Sequence, residues 1–369
     1  MPLRIRSAPH ARAAWAEGLR VQWPASLVER AGWRRCIDAH GDLRVPEGAV
    51  DVRAADVQAL REQRAFTDRP PASARLPVGY RIVPGWARAI VATAIGRWNR
   101  RRSDRWGAFP AWPLDLSADA LDDLREGGDP VVRPAPVLVT HDIDSPEGLA
   151  NLVDRFLPLE ESVGARSTNY IIPCAGSIDE GRLREVLARG HAIGVHGYDH
   201  SNRTPFVPPA ERAHRLDAGR AFADRYGATG YRAPSLLRTR ALLRDVGARF
   251  RYDSSIPTSG GLFPVPNNGC ATARPFLVEG TPELPVSLPR DGMLRFLGYA
   301  PAQILEIWIE CAERIARARG VVVLLTHCER RFSGAPPMLD TYRRFLEYTA
   351  AHPDRFAFTD PARVLTGVA

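Results

Sequence analysis

From about residue 133 the chain alternates short apolar runs with longer amphipathic stretches. The apolar runs Val137–Thr140, Thr168–Ile172, Ala192–Val195, Tyr231–Ala233, Val286–Leu288, Val321–Thr326 and Phe356–Phe358 predict strands. Between them, Leu149–Ser162, Glu180–Ala188, Ala210–Tyr226, Thr239–Val246, Pro301–Ala318 and Pro337–Ala351 predict helices. Strands that alternate with helices imply an α/β protein with a parallel sheet, and this many units imply a barrel or a doubly wound sheet.

The first 130 residues follow a different rhythm, with few β-like runs. Arg53–Arg64 reads as a helix. Gly85–Arg102 places Trp86, Ile90, Ala94 and Trp98 at helical spacing with arginines crowding its end. Such a helix either docks on the main domain with a solvated basic end or lies on an anionic membrane face. A rigid aromatic connector, Phe109-Pro110-Ala111-Trp112-Pro113, leads into a short predicted helix around Ser117–Leu124. Gly127-Gly128-Asp129-Pro130 then marks a boundary. Residues 1–130 are therefore expected to be a mainly helical N-terminal extension of unknown role, and residues 131–369 the catalytic domain.

Composition narrows the functional classes. The chain has 369 residues, 45% of them hydrophobic and 25% charged, enough for a full-sized core. The formal charge is +8 and lysine is absent, so every fixed cation is arginine. Positive charge favours anionic small partners. Nucleic-acid binding is not indicated, because the dense cluster from Arg97 to Arg105 has no recognition motif around it. The five cysteines (Cys36, Cys174, Cys270, Cys311, Cys328) are widely spaced with no CxxC pair, which indicates neither a cysteine zinc site nor a disulfide framework. The segment Met1–Arg6 lacks the apolar core of a secretory signal, and no uncharged run reaches transmembrane length, so the expectation is a cytoplasmic protein.

The candidate chemistry lies at the strand ends. Thr140-His141-Asp142-Ile143-Asp144 finishes one apolar run with two carboxylates two positions apart, and Gly190–His200 finishes another with His196 and His200 four positions apart. Together they offer three ligands for a divalent metal and one spare carboxylate, the least that activates a water molecule. A spacing of four lets two histidines of a helical turn face one ion. Alternation along an extended segment puts Asp142 and Asp144 on one side; on any other backbone the two could exchange roles. Arg232 and His327 also sit at the carboxyl ends of predicted strands, where the loops of a βα barrel build its active site.

Read in order, these segments resemble the motifs of the metal-dependent polysaccharide deacetylase family, the chitooligosaccharide deacetylase-like carbohydrate esterases. Val139–Asp144 resembles the first motif in its Thr-His-Asp-x-Asp form, and Gly164–Ile172 the second-strand signature. Gly190–His200 is similar to Gly-His-Glu-Ile-Gly-Asn-His-x-x-x-His. Tyr231-Arg232-Ala233-Pro234 resembles Arg-x-Pro, Tyr252–Ser255 the fourth motif, and Leu325-Thr326-His327 the Leu-x-His motif. The resemblance covers residues 133–369 and implies a distorted (β/α) barrel that hydrolyses N-acetyl, sometimes O-acetyl, groups with zinc or a similar ion. It also implies roles. Asp144, His196 and His200 would hold the metal, Asp142 would be the general base, Arg232 would hold that base ionised, and His327 would be the general acid, with Asp253 orienting its imidazolium. Ser235 stands where the family commonly has an aromatic residue; it retains the backbone N–H used in the family's oxyanion hole and alters the pocket wall, to which Leu325 also belongs. His141 replaces the family's usual phenylalanine, as an added donor, a further ligand, or packing beneath the metal. The other histidines, including His191, are read as surface or structural.

The expected substrate is an N-acetylated sugar, carried on a nucleotide or lipid, or a related biosynthetic intermediate, with peripheral membrane contact through Gly85–Arg102. Two rivals stand beside this reading. One is hydrolysis of another C–N bond, a formamide or cyclic amide, in a pocket remodelled by Ser235 and the insert from Pro257 to Leu284. The other is a glycan-binding relative without turnover.

Overall fold

A computed structural model describes residues 110–126, 133–174, 176, 178–258, 268–366 and 368. Before these it describes the stretches 3–7, 14–16, 19–21, 33–36, 38–39, 42–45, 52–67, 69–75 and 85–100. The large sheet contains β4 (Ala135–Ile143), β5 (Ser167–Ile171), β6 (Ala192–His196), β7 (Gly230–Arg232), β8 (Tyr252–Asp253), β9 (Phe276–Val278), β10 (Thr281–Glu283), β11 (Val322–His327) and β12 (Phe356–Phe358). Its order is β11-β4-β5-β6-β7-β8-β10-β9, with β12 on β4. Every pairing is parallel except the β9–β10 hairpin. β4 and β11 are almost wholly buried, as expected of parallel strands with both faces covered.

Val286–Leu288 does not form a ladder strand. Pro285 and Pro289 flank it and supply no N–H groups. The segment instead bridges the two ends of the curl. Val286 N–H donates to the Ile256 carbonyl, and Thr258 N–H to the Val286 carbonyl. Leu288 N–H donates to the Val323 carbonyl on β11. The two ends of the curled sheet are thus joined by single bonds rather than a ladder.

The helices at 180–188, 209–226, 240–247, 301–317 and 336–350 fall where the periodicity puts them. Side chains cap several of them: Asp179 accepts from Arg182 N–H, and Thr239 from Leu242 N–H. The predicted helix 149–162 starts earlier, at Pro146 behind the Ser145 cap, and carries a π-helical turn over Leu152–Phe156. Pro158 lies one turn on and supplies no N–H to the ladder, which accounts for the irregularity.

Ahead of the barrel, helices occupy Ala54–Glu62, Ala72–Arg75, Gly85–Arg100 and Ser117–Glu126. A small sheet not anticipated from the sequence, β1 (Leu3–Ser7), β2 (Leu19–Val21) and β3 (Asp42–Val45), has the order β2-β1-β3. Helix 117–126 is built into the barrel. The buried Asp119 carboxylate accepts from Ala273 N–H at 2.8 Å and from the Thr272 hydroxyl, and Asp123 binds Arg274 at 2.6 Å and also Arg319. Leu114 and Leu116 enter the main core with Leu288, Trp308 and Ile315. Helix 85–100 docks against Asp291–Phe296: a side chain at Gly96 would meet the Phe296 carbonyl at 2.2 Å, and Arg100 donates to the carbonyls of Leu297 and Gly298. Its outer face leaves Ile90, Val91, Ile95 and Trp98 exposed.

Candidate active site

Strand register assembles the site. On β4, Thr140 and Asp142 point into the barrel while His141 and Ile143 point to the helices, as period-2 alternation requires. β11 pairs His327 with Asp142, and β6 pairs His196 with Arg232. Asp142, Arg232, His196 and His327 therefore come from four strands to one carboxyl-end rim.

Asp144, His196 and His200 converge, with one ligand atom from each lying within 4.8 Å of the others. The Asp144 Oδ1 is 3.6 Å from His196 Nε2 and 3.3 Å from His200 Nε2. His196 Nδ1 is 3.0 Å from the Arg232 carbonyl, an arrangement that commits the Nδ1 proton there and leaves the Nε2 lone pair facing the cluster. Two imidazole nitrogens and one carboxylate oxygen form the open three-ligand set of a catalytic zinc-type site. The residues present therefore fit a divalent ion. The two histidines do not share a helical turn, contrary to expectation. His196 ends β6, and the chain turns through Gly197 (φ 65°) and His200 (φ 58°) before His200 swings back. A side chain at Gly197 would sit 2.4 Å from the Pro234 ring, so glycine alone allows the two loops to touch.

Asp142 stands beside the cluster, its Oδ2 3.7 Å from His196 Nε2. Arg232, fully buried, donates from Nη1 to Asp142 Oδ1 at 3.1 Å and to Thr140 Oγ1 at 3.0 Å. Its other donors reach the Ser254 carbonyl and hydroxyl, and its guanidinium lies 4.0 Å from the Tyr170 ring centroid. Burial pushes the Asp142 carboxyl up, but His196, Arg232 and His327 outweigh it and hold the group below its usual value. Asp144 is depressed too: burial opposes, and the three histidines outweigh it.

His327 Nδ1 is 2.8 Å from Asp291 Oδ1, its backbone N–H donates to Asp291 Oδ2 at 2.9 Å, and the Ser333 hydroxyl donates to the same oxygen at 2.7 Å. Burial disfavours the imidazolium, yet Asp291 overcomes that and raises His327 to about 9. This corrects the expected partner. Asp253, in register with Tyr231, faces away from Arg232 and accepts instead from the Ser255 hydroxyl and N–H at 2.8 and 2.9 Å.

Ser235 occupies a short turn with φ 54°, followed by Leu236 with φ 56°. Leu325 is fully buried with Leu236 and Val286. His141 is no ligand. Its Nδ1 is 2.8 Å from Thr326 Oγ1 and its Nε2 is 2.9 Å from Glu160 on the helix-facing side, where Phe156 and Tyr342 also pack. His191 belongs to the same buried network, its Nδ1 3.4 Å from Glu160 Oε2. A cavity of about 260 Å³ opens beside Asp144, walled by Ile143, Leu149, Ile171 and Ile178.

No protein-family model matches the chain, nor does any curated protein's sequence. Solved structures match in shape. One, described as a polysaccharide deacetylase from Mycobacterium smegmatis, is 20% identical with a TM-score of 0.52, over 66% of this chain and 92% of that one. The fold is that of the polysaccharide deacetylases. The same architecture appears in Puue allantoinase, 17% identical with a TM-score of 0.50, over 69% of this chain and 97% of that one.

Within this deacetylase fold two site residues were not foreseen. Asp291 lies 36 positions before His327 and begins a short helix without any spacing signature. Glu329, two residues past His327, accepts from Asp144 N–H at 3.0 Å and from the Ser145 hydroxyl at 2.9 Å. It therefore holds the peptide of Asp144. Burial and the nearby Asp144 raise its carboxyl to about 7.

Proposed function

We propose that this protein is a metal-dependent deacetylase that hydrolyses an N-acetyl group on a sugar or sugar-containing intermediate. The observation that carries the reading is the convergence of Asp144, His196 and His200 beside Asp142, with the hydrogen-bonded His327–Asp291 pair across the β11–β4 register.

When bound, a divalent ion of the zinc class supplies Lewis-acid activation of water and of the acyl carbonyl. Asp142, kept ionised by Arg232, takes a proton from the attacking water. The Ser235 N–H, presented by its left-handed turn, serves the developing oxyanion. His327, held protonated by Asp291, gives its proton to the departing nitrogen, so that acetate and amine leave.

The net charge of +8 supports an anionic, carrier-linked sugar. Exposed Ile90, Val91, Ile95 and Trp98, together with Arg97, support peripheral contact between helix 85–100 and an anionic membrane face. Among the described residues no helix is long and apolar enough to cross a membrane. The test is acetate release from a panel of N-acetylhexosamine derivatives, with and without chelator. Chelator-sensitive release is expected, and no such release from any member would overturn the proposal. The shared architecture with an allantoinase keeps a second reading, hydrolysis of another C–N bond such as a cyclic amide. Product masses separate the two.

A further inference from the structure

The segment ahead of the barrel touches both loops that carry the proposed chemistry. Residues 65–67 run alongside the turn after Ser235. Thr67 N–H donates to the Arg238 carbonyl at 2.7 Å. The Arg238 guanidinium, fully buried, reaches both ways: Nε donates to the Ala65 carbonyl at 2.6 Å and Nη1 to the Leu236 carbonyl at 2.5 Å. Asn268 ties the same strip from the other side through the carbonyls of Arg64 and Phe66. A few residues on, the Ser73 hydroxyl accepts from Asn202 Nδ2 at 3.2 Å, two positions past His200.

What these contacts hold is unusual backbone. Ser235 and Leu236 are consecutive non-glycine residues in the left-handed region (φ 54° and 56°), and His200 and Asn202 are two more (φ 58° and 65°). L-residues leave that region unless their surroundings over-determine it. Arg238 fixes the carbonyl that ends the first pair, and Ser73 grips the residue that ends the second.

We infer that residues 65–67 and 69–73 form a strut of the active site, with Arg238 and Ser73 as positioning residues for the Ser235 and His200 turns. This rests on the proposed deacetylase reading for the roles of the two turns, and on geometry alone for the strut. A single Arg238 side chain spans extension and turn, so its loss frees the Ser235 N–H from its aim. Ser73 acts on the neighbouring turn and touches no metal ligand directly.

The test uses the full chain with Arg238→Lys, whose single ammonium cannot span both carbonyls, and Ser73→Ala, a half-buried and milder change. Hydrogen exchange is read on the metal-free protein. Arg238→Lys is expected to speed exchange over residues 233–238 by about tenfold, and Ser73→Ala to do so over 199–203, while the strands keep their protection. With the acetylated substrate, Arg238→Lys is expected to lower kcat about tenfold with KM nearly unchanged. Ser73→Ala is expected to weaken Co(II) binding, read by titration of the metal-free protein. Unchanged exchange in both turns overturns the strut. If Arg238→Lys does not fold, Ser73→Ala decides alone by the same criterion. Should the wild type release no acyl group, the deacetylase reading falls and the exchange data still judge the strut.

Discussion

Replacing Asp291 with asparagine separates the charge on His327 from its position. The amide retains an oxygen to accept from the Nδ1 proton but loses the negative charge and one of the two oxygens that now take His327 N–H, His327 Nδ1 and the Ser333 hydroxyl. Burial pushes the imidazole below its ordinary 6.5; the Asp291 carboxylate is the largest of the charges that overturn this and set it at about 9. Without that charge the value returns to about the ordinary 6.5. At pH 8 a group at 9 is about 90% protonated and a group at 6.5 about 3%, so kcat of the variant falls about 30-fold. At pH 6 the two enzymes differ by about twofold at most from this cause. The stability effect has a definite sign. A folded value raised above the unfolded 6.5 contributes stability that is complete below pH 6.5 and lost as pH rises through 9, about 3 kcal/mol in all. Wild-type Tm should therefore decline between pH 6.5 and 9 more steeply than that of the variant. The assay is kcat against pH from about 5.5 to 9.5, beside Tm at each pH. A variant whose activity falls equally at every pH, with its alkaline limb where the wild type has it, would refute the assignment of His327 as the acid tuned by Asp291.

Asp142→Asn should lower turnover about a thousandfold while bound metal, counted by elemental analysis, stays stoichiometric, because the three ligands are other residues. Gly197→Ala forces a side chain to 2.4 Å from Pro234 at a φ of 65°; a stability loss of about 2 kcal/mol or more in denaturant titration is expected, together with weaker metal binding as the His200 turn shifts. Glu160→Gln should cost about 3 kcal/mol by thermal melting and leave metal content untouched, since it disturbs His141, His191 and Tyr342 on the far side of β4.

The strands β4, β6 and β11 were legible because each is a short apolar run with a polar end, a local property of the chain. β8 and β10 were not. They are two and three residues long, and Thr281-Pro282-Glu283 carries no apolar alternation, so only neighbouring strands make it part of the sheet. Val286–Leu288 misled in the other direction: its composition suits a strand, but the flanking prolines leave it single bonds.

The site divides in the same way. His196, His200, Asp142, Asp144, Arg232 and His327 could be picked out because strand ends of a βα sheet point to one rim, and residue type and spacing are written in the chain. Which carboxylate serves His327 was not written there. Asp253 and Asp291 are both acidic residues that precede it, and only folding decides between them: the register of β8 with β7 turns Asp253 away, and the packing of the short helix that Asp291 begins brings that carboxylate to 2.8 Å. The left-handed turns at His200 and Ser235, and the N-terminal strip that braces them, are likewise decisions of packing. Periodicity and ligand chemistry are properties of neighbours in sequence; the aim of a side chain depends on atoms that only folding brings together.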